Sequence, residues 1–180
     1  MNLRTLFIPL MALSAFVISG CASDQSDAST ASSAQQATAM HPESVAIKVT
    51  GGSDGKAVTA SQVANAYFAA GLAKSLTHAR AFAKVLPAGS PDAVFQLEVT
   101  ITPLEPPAIG ESMTATVEAN WTLTRISNGY VLWQKKISGS HTTDAKEAFT
   151  GIERVQLAIE GAVQDNIKDG VSQLGSASLL

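Results

Sequence analysis

The sequence predicts an α+β fold: a mostly antiparallel sheet of four to five strands with two helices packed on one face, in the order β-α-β-β-β-β-α. Three observations predict it. Runs that alternate apolar and polar residues recur between positions 44 and 137, which is the two-residue period of half-buried strands. Two longer stretches, 59–78 and 150–174, carry apolar side chains at spacings of three and four instead, the period of amphipathic helices. An Asn128-Gly129 pair separates the last two alternating runs and suits a hairpin turn that needs positive φ. Strands followed by a terminal helix read as helices laid on one face of a sheet, the other face being polar.

Before the first strand the chain carries a targeting segment. Arg4 is the only early charge, and an apolar run from Leu6 to Ile18 follows, broken by Pro9 and Ser14. Ile18-Ser19-Gly20-Cys21 closes it. A positive end, a short apolar middle and small residues at a cut are the three parts of a secretory signal. The middle is too short for a membrane span of roughly 20 residues. Ile18-Ser19-Gly20-Cys21 resembles the lipobox of bacterial lipoproteins. The resemblance implies cleavage between Gly20 and Cys21, diacylglycerol on the Cys21 thiol and acylation of the new amino end. An ordinary signal with a chance cysteine is the alternative. The lipoprotein resemblance also implies outer-membrane residence facing the periplasm, because Ala22, and not Asp, follows the cysteine. Several acyl chains anchor stably where one does not.

Cys21 is the only cysteine, so acylation there leaves no disulfide, no redox pair and no cysteine metal site. The formal net charge is −3, which offers no basic patch for nucleic acid. Residues 22–42 are Ala, Ser, Thr, Gln and Asp, ending in Met40-His41-Pro42. They bury too little to offset ordering entropy. The expected organisation is a signal over 1–20, a flexible tether over 21–42, one domain over 43–176 and a frayed end over 177–180. As a coil the tether reaches about 25 Å.

Val45, Ile47 and Val49 alternate with Ala46, Lys48 and Thr50 and predict the first strand. Gly51-Gly52-Ser53-Asp54-Gly55 ends it and is expected to be a mobile surface loop. Its spacing fits no phosphate-binding fingerprint. Thr59-Ala60-Ser61-Gln62 fits a capping box that would start a helix running to His78. Ala64, Phe68, Leu72 and Leu76 make its apolar stripe.

A short strand over 82–86 stops at Pro87, and Ala93 to Ile101 alternates cleanly as the next. Pro103, Pro106 and Pro107 deny ladder donors to the stretch up to Gly110, which is therefore a loop or an edge excursion. Leu104, Pro106, Pro107 and Ile109 there form a candidate partner surface. Met113 to Arg125 and Tyr130 to Ile137 predict the hairpin, with Val131, Trp133 and Ile137 on one face. Gly139 to Ala148 reads as a polar connector. Thr150-Gly151-Ile152-Glu153 fits a second capping box, opening a helix striped by Ile152, Val155, Ile159, Val163, Ile167, Val171 and Leu174.

Chemistry is sparse. His41, His78 and His141 show no metal-ligand spacing, and no serine sits at a hydrolase elbow. No catalytic, metal or cofactor residues are expected. Glu98 and Glu118, on the polar faces of neighbouring strands, are the one pair whose approach would allow acid–base work on an envelope sugar or peptide.

The topology over about 43–176 is similar to small envelope lipoproteins: the lipopolysaccharide-assembly lipoprotein, auxiliary lipoproteins of lipid-transport ABC systems, and uncharacterised periplasmic relatives. The resemblance implies a non-enzymatic accessory factor for envelope binding, assembly or transport. It would be held to the membrane by acyl chains on Cys21, with an envelope protein or glycolipid as partner. A structural lipoprotein without ligand is the remaining alternative.

Overall fold

The computed structural model describes residues 40–105, 107 and 110–179. The expected signal, Gly20, Cys21 and nearly all of the tether lie outside the described residues, as do Pro106 and Ile109. The elements run β1 (His41–Thr50), α1 (Asn65–His78), β2 (Phe82–Pro87), β3 (Phe95–Ile101), β4 (Ser112–Arg125), β5 (Tyr130–Asp144) and α2 (Gly151–Gly175). This is the expected element order and an α+β fold. The five strands lie in the order β2-β1-β3-β4-β5.

The sheet is mixed where a mostly antiparallel one was expected. β1 is flanked by parallel partners on both sides, β2 and β3, while β3–β4 and β4–β5 are antiparallel. The reason lies in the short link after Pro87. It does not fold back as a hairpin but crosses β1. Ser44 donates its hydroxyl to Asp92 O (2.6 Å) and accepts from Val94 N. Ser44 and Ala46 point away from Val45 and Ile47 by strand alternation, and the crossing buries both.

α1 lies on β1 and β2, and α2 lies across β4 and β5. Both cover the face that carries Phe95, Leu97, Val99, Trp121 and Leu123. Phe68 of α1 meets Trp121 edge-on at 6.3 Å. Phe68, Leu72 and Leu76 are fully buried, as their four-residue spacing predicts. α2 approaches closely because its inner side is Ala158, Ala162, Asn166 and Gly170. A Cβ at Gly170 would stand 2.4 Å from the Trp121 ring, and one at Gly139 on β5 would stand 2.2 Å from Ala162 O.

Three boundaries differ from the sequence expectation. β1 includes His41 and Pro42, assigned above to the tether, because Met40 and His41 donate to Arg80 O and Ala81 O. α1 starts at Asn65, not Thr59. Thr59 Oγ1 does accept from Gln62 N at 3.2 Å, but Val63 and Ala64 are held extended against the glycine segment by Ser53 N to Val63 O and Asn65 N to Ser53 O. That segment is a packed junction and not a mobile loop. Asn65 clamps both backbone groups of Gly52, and Gly51, at φ 85°, would drive a Cβ into Ile101 O. β5 continues to Asp144, so most of the expected connector is strand, paired to Ser112–Val117. Within the hairpin, a bulge opposite Leu123/Thr124 pairs Trp133 with Leu123 but Val131 with Thr124. Trp133 and Val131 therefore face opposite sides, contrary to expectation.

The second capping box is present. Glu153 N donates to Thr150 Oγ1 (3.2 Å) and Thr150 N to Glu153 Oε2 (3.4 Å). Thr150→Ala is expected to cost about 1 kcal/mol, seen as a lower urea midpoint with unchanged slope. Ile152, counted in the stripe above, is 72% exposed and stands outside the core.

Candidate functional site

The acid–base pair does not assemble. Glu98 lies opposite Thr122, while Glu118 lies opposite Ser138 on the other side of β4. Four residues of extended strand put them about 13 Å apart along the sheet. Each is instead neutralised across strands, Glu98 by Lys48 at 2.9 Å and Glu118 by Lys136 at 2.7 Å. The surrounding open face is closed upon itself by Thr50–Thr100, Thr114–Thr142 and Thr116–Ser140 hydroxyl contacts.

The histidines are equally dispersed. His41 packs on Phe82 at 5.1 Å between ring centres, and His141 Nδ1 lies 3.7 Å from Asp165. Among the described residues no group of three His, Cys, Asp or Glu side chains converges. Of the candidate partner surface, Leu104 packs inward against the core and Pro107 is half-buried. Leu104 also borders a small cavity of about 230 Å³ with Gly51, Gly52 and Ile101.

A groove of about 900 Å³ lies between α1 and α2. Pockets of roughly 300–1,000 Å³ take small-molecule ligands. α1 turns its sheet-facing stripe inward, which leaves Tyr67, Ala70, Gly71, Lys74, Ser75 and His78 along the groove. α2 contributes Val163, Ile167 and Val171 to the floor and Gln164, Lys168 and Ser172 to the rim. Gly71 sets the closest approach of the helices, since a Cβ there would stand 3.0 Å from Ile167 Cδ1. The floor is thus apolar and the rim carries two lysines and a histidine. Among the described residues no carboxylate lines it, in a chain whose net charge is negative.

Sequence reasoning found the helices but not the groove. The small residues Ala60, Gly71 and Ser75 flank the α1 stripe and suit close packing on a sheet, and the space beside Gly71 and Ser75 depends on where α2 lies. Asn166 was also missed. It is fully buried and accepts from Trp121 Nε1 (3.2 Å) while donating to Val117 O (3.0 Å) and Ile137 O (2.8 Å). The signal for it was the Ala158-Ala162-Asn166-Gly170 row at four-residue spacing.

No family model and no curated protein matches this chain. Solved structures do. A Xanthomonas campestris protein of the DUF330 family is similar over 78% of this chain and 88% of its own, at TM-score 0.58 and 12% identity. A minor lipoprotein from Acinetobacter baumannii matches over 74% and 93%, at TM-score 0.51 and 9% identity. PelC from Paraburkholderia phytofirmans, solved as a dodecamer, matches over 78% and 92%, at TM-score 0.50 and 17% identity. At these identities the likeness is one of fold. Bacterial lipoproteins are among the proteins that share it.

Proposed function

We propose that this protein is a non-enzymatic lipoprotein, anchored through Cys21 to the outer membrane and facing the periplasm, that binds an anionic, acyl-bearing lipid in the α1–α2 groove as an accessory to envelope assembly or transport. The observation that carries this reading is the groove itself: an apolar floor beneath Lys74 and Lys168, with no acidic lining among the described residues. Acyl carbons gain from leaving water for such a floor, and a phosphate or carboxylate head gains from two ammonium groups above it. The groove ends at His78 and Ser172, near the point where the chain continues toward Cys21. The lipobox and the lipoprotein found among the fold's other bearers support the anchor. The separation of Glu98 from Glu118 favours binding over catalysis.

Photo-crosslinking in intact cells tests it. A photoreactive residue at Ala70, on the groove wall, is expected to yield a lipid adduct by mass spectrometry, and one at Thr116 on the open face is not. Lys74→Glu with Lys168→Glu should reduce the adduct about tenfold, as a loss of about 1.4 kcal/mol predicts. Equal adducts at both positions, or none at Ala70, would overturn the lipid assignment.

A further inference from the structure

The end of the sheet at which the chain enters carries a cluster of exposed apolar side chains. The register places Val45, Phe95, Arg125 and Tyr130 in one row across β1, β3, β4 and β5. The starts of β1 and β3 and the β4–β5 turn therefore share one end. Met40 lies there too, bonded to Arg80 O and packed on Gly175 at the close of α2. At this end Val94, Ile126, Tyr130 and Val131 are 42%, 47%, 71% and 52% exposed. Val94 and Ile126 are joined by a backbone hydrogen bond of 3.0 Å. The bulge in β5 turns Val131 to the open side with Thr124, where alternation also puts Val94 and Ile126. The turn itself does not require them, since Gly129 N to Arg125 O and Tyr130 N to Asn128 Oδ1 close it.

We infer that this tip rests in the interfacial layer of the bilayer that holds the anchor. Three aliphatic side chains and a tyrosine, apolar in body and polar at its tip, suit that layer. The chain beyond Met40 argues for lipid as the occupant: only residues 22–39 separate the tip from Cys21, and a coil of that length reaches about 25 Å. A surface held so near needs little affinity of its own to stay docked. The inference rests on the Cys21 anchor and not on what fills the groove. Docked this way, the His78 and Ser172 end of the groove faces the same bilayer.

Labelling the acylated full-length protein in phosphatidylethanolamine–phosphatidylglycerol vesicles tests this. The natural thiol at Cys21 is consumed by its lipid, so Val131→Cys carries an environment-sensitive dye alone. Its emission is expected to rise several-fold and to be quenched by brominated lipid. A dye on Ile152→Cys, at the far end, should stay in water. Lys74→Glu with Lys168→Glu should leave both signals unchanged, which separates this result from the groove's. A wet Val131 dye on vesicle-bound protein would overturn the tip assignment alone. A dye already shielded without lipid, and increasingly so with protein concentration, would assign the tip to a second copy instead. Protein left in the supernatant would overturn the anchor and the tip together.

Discussion

Gly139→Ala is expected to unseat α2 from the sheet and to cost about 4 kcal/mol or more, the upper range for one substitution. The added Cβ would meet Ala162 O at 2.2 Å and Asn166 N at 2.3 Å. Both are backbone atoms of a helix, so no side-chain rotation relieves the contact. Relief requires α2 to lift, which withdraws Ile159, Val163 and Ile167 from the core together. Urea titration followed by far-ultraviolet dichroism checks this. A variant within about 1 kcal/mol of the parent would show that α2 does not depend on that approach.

Asn166→Ala is expected to cost about 3 kcal/mol, because it strands three buried partners at once. Trp121 Nε1 loses its acceptor, and Val117 O and Ile137 O lose a shared donor. Asn166→Asp should fail to rescue. It keeps an acceptor for Trp121 but offers nothing to the two carbonyls, and it buries a charge. Trp121→Phe combined with Asn166→Ala should cost less than the two single losses added, since they share one hydrogen bond. Strict additivity in denaturation would mean that the two side chains act independently.

Where side-chain size and period agree, the sequence was readable. Phe68, Leu72 and Leu76 announced the inner face of α1, Asn128-Gly129 announced the hairpin, and Thr150 with Glu153 announced the start of α2. It failed where close packing replaces large side chains. The second half of β5 carries Gly139, His141 and Thr143 toward the helix, and none of these signals a strand. They are there because α2 sits too near for anything bulkier at Gly139. Thr59 misled for a different reason: its hydroxyl caps a local turn that Val63 and Ala64 then leave in extended form. The parallel neighbours of β1 were hidden because residues 88–94 are too few to suggest a crossover, yet Ser44 anchors them as one. The groove was hidden because it belongs to neither helix alone.

The placement of β1 has a mechanical consequence. The first strand of the domain is not at a margin of the sheet but is bonded along both sides, to β2 and to β3. A pull on the N-terminal segment therefore enters along the strand axis and loads both ladders in shear. The bonds must yield together and cannot peel away in sequence. With the proposed anchor at Cys21, tension on that segment would thus be borne by the part of the fold best arranged to resist it.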